Sequence, residues 1–504
     1  MFQIHAMRQL LLGFDIGSSS IKASVVDAAT GQSLASAQSP AEEMDMLATE
    51  SGWAEQDPEV WWKHLIISAK ACLTKSAAEA DEVKAIGISY QMHGLVVVDK
   101  GQKVLRPAII WCDSRAVNIG QQAARALGET YCLEHFLNSP GNFTASKLKW
   151  VQENEPAIFE KIHKIMLPGD YIAMRLSGEI GTTDAGLSEG IFWDYQEKAV
   201  SDKLLQHYGF EKALLPEQVP VFGVQGTLHK PGADALGLKP GVKISYRAGD
   251  QPNNAFSLNV LKPGETAATA GTSGVIYSVT EKNAFDPKSR VNTFIHVNNR
   301  SESPSNGVLL CINGTGILNS WLRKNTSTAG SLLDYEQMNT LAANVPVGAE
   351  GLVLLPFGNG AERIFENQTP GASFHGLDFN HHNQAHVFRA AQEGIVFALK
   401  YGFDILQEMG LETNVIRAGH ANMFLSQVFR EAFVNTIGAP LELYNTDGAT
   451  GAAIGAGVGG GIFGSTEAAF KGLKSIRVEK PNIELTEQYA AAYNKWKLQL
   501  NHIL

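Results

Sequence analysis

Two stretches decide how this chain folds. The first is Phe14-Asp15-Ile16-Gly17-Ser18-Ser19-Ser20-Ile21-Lys22-Ala23-Ser24-Val25-Val26. The second is Ala268-Thr269-Ala270-Gly271-Thr272-Ser273-Gly274-Val275-Ile276-Tyr277-Ser278-Val279-Thr280. In each, an apolar run breaks at a Gly and hydroxyl tip and resumes with β-branched residues, the pattern of a strand, a tight turn and a second strand. Gly17 aligns with Gly271, Ser18 with Thr272, Ser19 with Ser273 and Ser24 with Ser278, at an offset of 254 in a chain of 504 residues. Each unit lies near the start of its half, so the economical reading is a duplicated α/β domain with a ligand cleft between the copies.

The text around these units fits that frame. Asp57-Pro58-Glu59 before Val60-Trp61-Trp62 reads as a helix start, with Asp as N-cap and Pro in the first turn. Val83–Tyr90 reads as a buried strand broken at Gln91-Met92-His93-Gly94, and 95–98 and 108–111 as continuations of the sheet. Helices are expected at 117–127 and 145–154, and the Pro- and Gly-rich run 216–241 as the approach to a domain boundary. The second half restarts at the strand-like 243–247, which places the two domains at 1–246 and 247–504.

Composition narrows the function classes. Apolar residues make up 44% and charged residues 18%, enough to build large cores and to exclude global disorder. With 41 basic and 51 acidic side chains the net charge is −10, which disfavours broad nucleic-acid binding. A polyanion must then be held locally, by backbone amides, a metal ion or a few side chains. Cys72, Cys112, Cys132 and Cys311 show no C-x-x-C spacing, which argues against a disulfide framework or a zinc knuckle and fits a reducing cytoplasm. The start lacks a long apolar core and a cleavage site, and no 18-residue apolar run occurs elsewhere, so neither a signal peptide nor a membrane span is expected.

Several residues could carry chemistry. The two tips expose backbone N–H groups suited to phosphate, or are ordinary hairpin turns. Asp15 could hold Mg²⁺ through water, and Lys22 could sit as a point charge near phosphates or be a solvated strand residue. Asp250 comes after a strand and Gly249, placed as a general base or as an Asx-turn residue. His93 is either used or a satisfied core histidine. The Gly- and Ala-rich run 447–461 could pack tightly as a helix or lie against a nucleotide; its G-x-G-x-x-G at 455–460 has no dinucleotide fold after it. There is no Gly-Lys pair, hence no P-loop of standard form, and no H-E-x-x-H. Gly186-Leu187-Ser188-Glu189-Gly190 meets G-x-S-x-G without the preceding buried strand that a nucleophile elbow needs.

Taken together these residues resemble the FGGY carbohydrate kinases of the actin, hexokinase and heat-shock-chaperone superfamily, and within them the xylulokinases. The resemblance runs from Leu12 to about Gly461. It is carried by Asp15-Ile16-Gly17-Ser18-Ser19-Ser20-Ile21-Lys22 as first phosphate loop, by Gly52–Pro58 with Trp61-Trp62, and by Gln91-Met92-His93-Gly94 as the sugar motif. Trp111-x-Asp113-x-Arg115, the signature text 143–151, Asp170-Tyr171 and the stretch 372–393 match further blocks. Gly249-Asp250-Gln251 stands where xylulokinases usually have Gly-Asp-Asn and also resembles the glycerol kinase form.

The resemblance implies two ribonuclease H-like α/β domains and ATP-dependent phosphorylation of D-xylulose at its 5-hydroxyl. It implies Asp250 as catalytic base, and Met92, His93, Trp111, Asp250 and Gln251 at the sugar. Asp15, Gly17, Ser18, Ser19, Lys22, Gly271, Thr272, Ser273 and Gly419 would hold ATP, with Mg²⁺ at Asp15 through water. A cytoplasmic enzyme is implied, with a small sugar as partner and no nucleic acid or membrane, and a homodimer is compatible with it. Rival readings are a kinase for ribulose, gluconate or glycerol, and an inactive sugar or nucleotide sensor on the same fold.

Overall fold

The computed structural model describes residues 8–326, 332–366 and 368–504. The first seven residues of the start that was read for a signal peptide lie outside that set. Two compact units form. The first comprises 1–259, 294–306 and 446–473, and the second 260–293, 307–445 and 474–504.

The first unit is built on a six-stranded sheet. Its strands are β1 (Leu10–Ile16), β2 (Ile21–Asp27), β3 (Gln32–Ser39), β4 (Val83–Tyr90), β5 (Phe222–Thr227) and β6 (Lys243–Gly249), in the order β5-β6-β4-β1-β2-β3. β1, β2 and β3 form an antiparallel meander, β1, β4 and β6 run parallel, and β5 returns antiparallel at the edge. β1 is buried almost throughout, which is why it reads as an unbroken apolar run. The helix Pro58–Lys75 covers β2 and β3 with Trp61, Leu65 and Ala69, and Asp57 caps it by accepting from the Glu59 amide at 3.0 Å.

The second unit repeats the plan. Its sheet has β7 (Glu265–Ala270), β8 (Gly274–Thr280), β9 (Asn292–Ile295), β10 (Asn306–Ile312), β11 (Val415–Gly419), β12 (Leu441–Tyr444) and β13 (Ser475–Glu479), in the order β9-β10-β8-β7-β11-β12-β13. β7 and β8 form the hairpin, β7, β11 and β12 run parallel, and β13 is the antiparallel edge. Hairpin, two parallel neighbours and an antiparallel edge therefore recur, so the internal repeat read from the two tips is a repeat of topology. The 25-residue helix Gln384–Glu408 lies in the core of this unit beside Trp496 and Phe433.

Some expectations need correction. Val96–Val98 pairs with Lys164–Met166, and Ala108–Ile109 with Glu55–Gln56, so these segments form small separate ribbons and do not extend the main sheet. The run 216–241 does not separate the units; it supplies β5 and the helix Lys230–Leu236 of the first. A single cut between 246 and 247 would sever β6, whose backbone pairs with β4 through Gly249. Asp250 therefore belongs to the first unit, and residues 446–473 return to it.

That return is made by the helix Gly448–Gly459, which packs on β1, β4 and β6. A Cβ on Gly13 would lie 2.0 Å from the Ala449 carbonyl, one on Gly87 2.0 Å from the Ala452 carbonyl, and one on Gly459 1.8 Å from the Ser245 carbonyl. The glycine-rich run is thus a backbone-to-backbone packing device, the first of its two sequence readings. Gly87→Ala is expected to lose about 3 kcal/mol or more in urea denaturation, since backbone must move to admit the methyl group. Gly461→Ala, which faces open space at φ +70°, should cost only about 1–2 kcal/mol of local strain.

Candidate active site

In the first unit three adjacent parallel strands end level with one another. Ile16 of β1 and Gly249 of β6 both stand opposite Tyr90 of β4. The chain leaves β1 through the Gly17–Ser20 tip, β4 through the Gln91-Met92-His93-Gly94 turn, and β6 directly into Asp250. The carboxyl ends of parallel strands are where open α/β sheets bind ligands, because the chain must leave the sheet there and its loops can splay apart.

Asp15 is half-buried near the end of β1. Its Oδ1 accepts from the Ser89 hydroxyl at 2.9 Å, and Lys22 stands directly opposite on β2. A Cβ on Gly448 would lie 2.5 Å from Asp15 Oδ2 and 3.2 Å from Asn254 Oδ1, so only a residue without a side chain leaves room beside that carboxylate. Burial raises the Asp15 pKa, the Ser89 hydrogen bond and the Lys22 charge lower it, and the nearby Asp447 charge raises it; the net shift is upward.

Asp250 opens the helix Asp250–Ser257, with Gly249 as its N-cap. Burial and then the Asp15 charge push its pKa up to about 7, against hydrogen bonds from the Gln251 backbone and side chain and its own amide. The local bonds of an Asx-type residue are therefore present. They are outweighed by enclosure and by a second carboxylate. Gln251 acts on Asp250 itself.

Met92 is buried with its Cγ 2.6 Å from the place a Gly249 Cβ would take, and Glu189 Oε2 occupies the same approach at 2.6 Å. The Glu189 carboxyl is buried among Tyr90, His93 and Asp250; burial and the Asp250 and Asp170 charges raise its pKa well above the usual range, favouring its protonated form. His93 takes left-handed backbone at φ 60°, its Nδ1 is 2.9 Å from the Glu189 carbonyl, and its ring stands 4.8 Å from Phe143 and 5.1 Å from Phe294. The Lys147 ammonium, buried and with its pKa lowered to about 7 by desolvation, donates to the His93 and Ile110 carbonyls at 2.9 Å each. The turn is thus held from both sides.

The first tip is oriented by its carbonyls. Gln56 Nε2 donates to the Ser18 carbonyl at 2.7 Å, and the Met44 amide to the Ser19 carbonyl at 2.8 Å. In a planar trans peptide N–H and C=O point oppositely, so fixing these carbonyls aims the Ser19 and Ser20 amides the other way. Trp111 is half exposed, and its indole N–H donates to Ser18 Oγ at 3.3 Å. Lys22 is exposed on β2.

The second unit repeats the device on its own. Thr315 Oγ1 and the Gly316 amide donate to the Gly271 carbonyl at 2.9 and 2.8 Å, and Thr315 Oγ1 also to the Thr272 carbonyl at 3.0 Å. The Thr272 and Ser273 amides are thereby turned away from the helix Gly316–Thr326. Gly419 ends β11, which runs parallel to β7, and the Asn422 side-chain amide lies 3.4 Å from where a Gly271 Cβ would be.

Sequence reasoning assigned no role to Gln56, Ser89 or Glu189, and took Asp447 and Gly448 only as the start of the run 447–461. Gln56 and Glu189 lay inside quoted motifs, and their partners are remote in sequence. Ser188 is no nucleophile: it shares a hydrogen bond with the Tyr195 hydroxyl at 2.7 Å and accepts from the Ile295 amide at 3.0 Å. Arg115 lies between Trp53 and Trp150, 3.8 and 4.7 Å from their rings, while paired with Asp113, so the Trp-x-Asp-x-Arg text also has a packing role.

A folded-state pKa near 7, above the unfolded value of about 3.9, means that Asp250 contributes stability at low pH that is lost as pH rises through 7. Asp250→Asn should therefore be more stable than the unaltered protein at pH 8, by between about 1 and 4 kcal/mol with a correspondingly higher melting temperature, and no more stable at pH 4. A variant that melts with the unaltered protein at pH 8 as well as at pH 4 would contradict the raised pKa.

Comparison with known proteins adds the chemical context. Residues 10–257 match the N-terminal domain of the FGGY family of carbohydrate kinases, and residues 266–460 its C-terminal domain. The chain is 28% identical to a xylulose kinase of Escherichia coli over 96% of each chain, and 31% identical to one of Streptomyces rubiginosus over 79% of this chain and 76% of the other. Its fold superposes on a structure described as a xyloylose kinase from Brucella ovis with a TM-score of 0.86, at 25% identity, covering 97% and 98% of the two chains. A gluconate kinase from Lactobacillus acidophilus has the same fold, with a TM-score of 0.87 at 21% identity over 98% of each chain.

Proposed function

The chain belongs to the FGGY family of carbohydrate kinases, and on that premise we propose that it transfers the γ-phosphoryl group of ATP to the 5-hydroxyl of D-xylulose. The observation that carries the assignment of roles is Asp250, a carboxylate at the end of a parallel strand with its pKa pushed up to about 7. Such a group is about half ionised near neutral pH and basic enough to take a hydroxyl proton, the match that general-base catalysis requires.

In this reading the sugar hydroxyl oxygen attacks the γ-phosphorus, its proton passes to Asp250, and the bond to ADP breaks. The Gly17-Ser18-Ser19 and Gly271-Thr272-Ser273 tips hold phosphate oxygens through amides aimed as described, with Lys22 as a point charge and Gly419 at the adenosine. Positioning and charge stabilisation then supply most of the rate. The acidic set fits a hard divalent cation: Asp447 raises the proton affinity of Asp15, Asp15 raises that of Asp250, and Gly448 leaves room beside Asp15 Oδ2. Asp15 would hold Mg²⁺ through water, and the ion supplies neutralisation of phosphate charge.

Met92, His93 and Trp111 orient the sugar, and Gln251 steadies the base. The choice of a ketopentose rests on the Gln91-Met92-His93-Gly94 turn and on relatives that are named xylulose kinases. A second reading, a kinase for glycerol or a sugar acid, draws on Gly249-Asp250-Gln251, which resembles the glycerol kinase loop, and on the gluconate kinase of like fold.

ADP release across a panel of D-xylulose, D-ribulose, gluconate and glycerol should be fastest with D-xylulose. Preference for glycerol or gluconate would select the second reading. With the preferred sugar, kcat/KM should rise with pH through about 7 and then level, since the base works when ionised. Asp250→Asn should lower kcat by about 10²–10⁴ while sugar still binds. Near-normal turnover in that variant would remove Asp250 from the base role.

A further inference from the structure

A cluster in the second unit has no place in the phosphoryl-transfer reading. Glu350 sits in the short turn Ala349–Gly351 with left-handed backbone at φ 52°, an unfavourable conformation for a residue with a side chain. Its Oε2 accepts from two imidazoles at once, His381 Nε2 at 2.7 Å and His386 Nε2 at 2.8 Å. His386 lies in the first turn of the helix Gln384–Glu408, and His381 in the loop before it. One carboxylate and two imidazole nitrogens thus converge, all within 4.8 Å of one another.

The surroundings order these groups. His386 Nδ1 accepts from the Asn383 backbone amide at 3.3 Å and also lies 3.1 Å from Asn383 Oδ1, so the Nε2 proton now given to Glu350 has a place on Nδ1 when Nε2 binds an ion. A proton on Nδ1 facing Asn383 Oδ1 is then the outer hydrogen bond a ligating histidine ordinarily makes. His382 is engaged differently: its Nδ1 accepts from the Asp378 amide at 2.9 Å, and its ring lies 5.2 Å from both His381 and His386, tilted by 56° to each. It buttresses the pair and is not one of the three donors. His386 is 10% exposed, Glu350 37% and His381 54%, so the group is anchored on one side and open to water on the other.

We propose that Glu350, His381 and His386 bind one transition-metal ion of the zinc class, with water completing the coordination. Two imidazoles and a carboxylate form a recurrent zinc donor set, whereas Mg²⁺ prefers all-oxygen surroundings. The nitrogens now sit at hydrogen-bond distance from the carboxylate. Ion bonds of roughly 2.0–2.2 Å set tetrahedral donors about 3.4 Å apart, so the carboxylate oxygen must draw back from each imidazole nitrogen by about half an ångström, within reach of the exposed His381 and Glu350 side chains. Bound metal would tie the Ala349–Gly351 turn to the start of the helix Gln384–Glu408, so its role is to staple this part of the second unit.

The test uses untagged, chelator-stripped full-length protein, with Zn²⁺ as the probe in equilibrium dialysis and thermal melting at pH 7.5. One ion per chain should bind at micromolar or tighter concentration and raise the melting temperature. His381→Ala and Glu350→Gln should each weaken binding at least tenfold and abolish the rise, while Cys112→Ser, which removes the exposed thiol, should leave both unchanged. Lowering the pH to 5.5 should also weaken binding, because protons compete for the imidazoles. Absence of stoichiometric Zn²⁺ binding, or binding that survives both His381→Ala and Glu350→Gln, would overturn the proposal and leave the cluster as a charged hydrogen-bond network.

Discussion

Everything in the first unit depends on how closely one helix lies on one sheet. Gly13, Gly87 and Gly459 remove the side chains that would hold the helix Gly448–Gly459 away from β1, β4 and β6. With the backbones touching, Gly448 at the head of that helix comes up against Asp15, and Asn253 Nδ2 donates to the Gly448 carbonyl at 2.8 Å. The helix start, the end of β1 and the helix after Asp250 are thereby locked in one place. A chain segment more than four hundred residues from Asp15 sets the room around its carboxylate. Interiors pack at nearly crystalline density, so the displacement caused by one methyl group at this contact would be felt at the carboxylates.

The same closeness concentrates negative charge. Asp447 acts on Asp15 and Asp15 on Asp250, and desolvation adds to the cost of ionising them. A fold does not gather carboxylates in this way for stability, since each raised pKa marks free energy lost when the group ionises. The arrangement makes sense if a cation and a proton donor arrive with the substrates. Glu189 shows the opposite solution: buried beside the same strand ends, it is driven toward its neutral form and can fill space near Asp250 without adding charge.

Much of this was legible from residues, and the remainder was hidden for identifiable reasons. The two hairpins were readable because β1 and β8 are buried along nearly their whole length, so apolar runs and Gly-rich tips mark them directly. Asp57 declared its helix because capping is local chemistry. By contrast, Val96–Val98 and Ala108–Ile109 are as apolar as any sheet strand, and apolarity does not say which strand a segment pairs with. The division of the chain into units was obscured for a related reason: Gly448–Gly459 joins the first unit through backbone contact, which leaves small residues in the sequence and no sign of their partner. Gln56 and Ser89 went unassigned because their partners, the Ser18 carbonyl and Asp15, lie 38 and 74 positions away. Asp250 was placed on a strand end by its neighbours, but its proton affinity depends on Asp15, which no local pattern contains.

The duplication carries one further step. Asp15 of the first hairpin corresponds to Thr269 of the second, and Lys22 to Ile276, so the two copies keep the tip but not its charges. The shared part is the handling of carbonyls: Gln56 and the Met44 amide in one copy, Thr315 and the Gly316 amide in the other. Because a trans peptide sets N–H opposite C=O, each arrangement determines where the tip's amides point without using a charged side chain. On the proposed reading, that is how a chain of net charge −10 offers two grips for a polyanion: the dipoles do not depend on net charge, and Asp15 and Asp250 both belong to the first unit. Divergence between the two hairpins thus leaves both with tips fixed through their carbonyls, and only the first with an aspartate before its tip and a lysine after it.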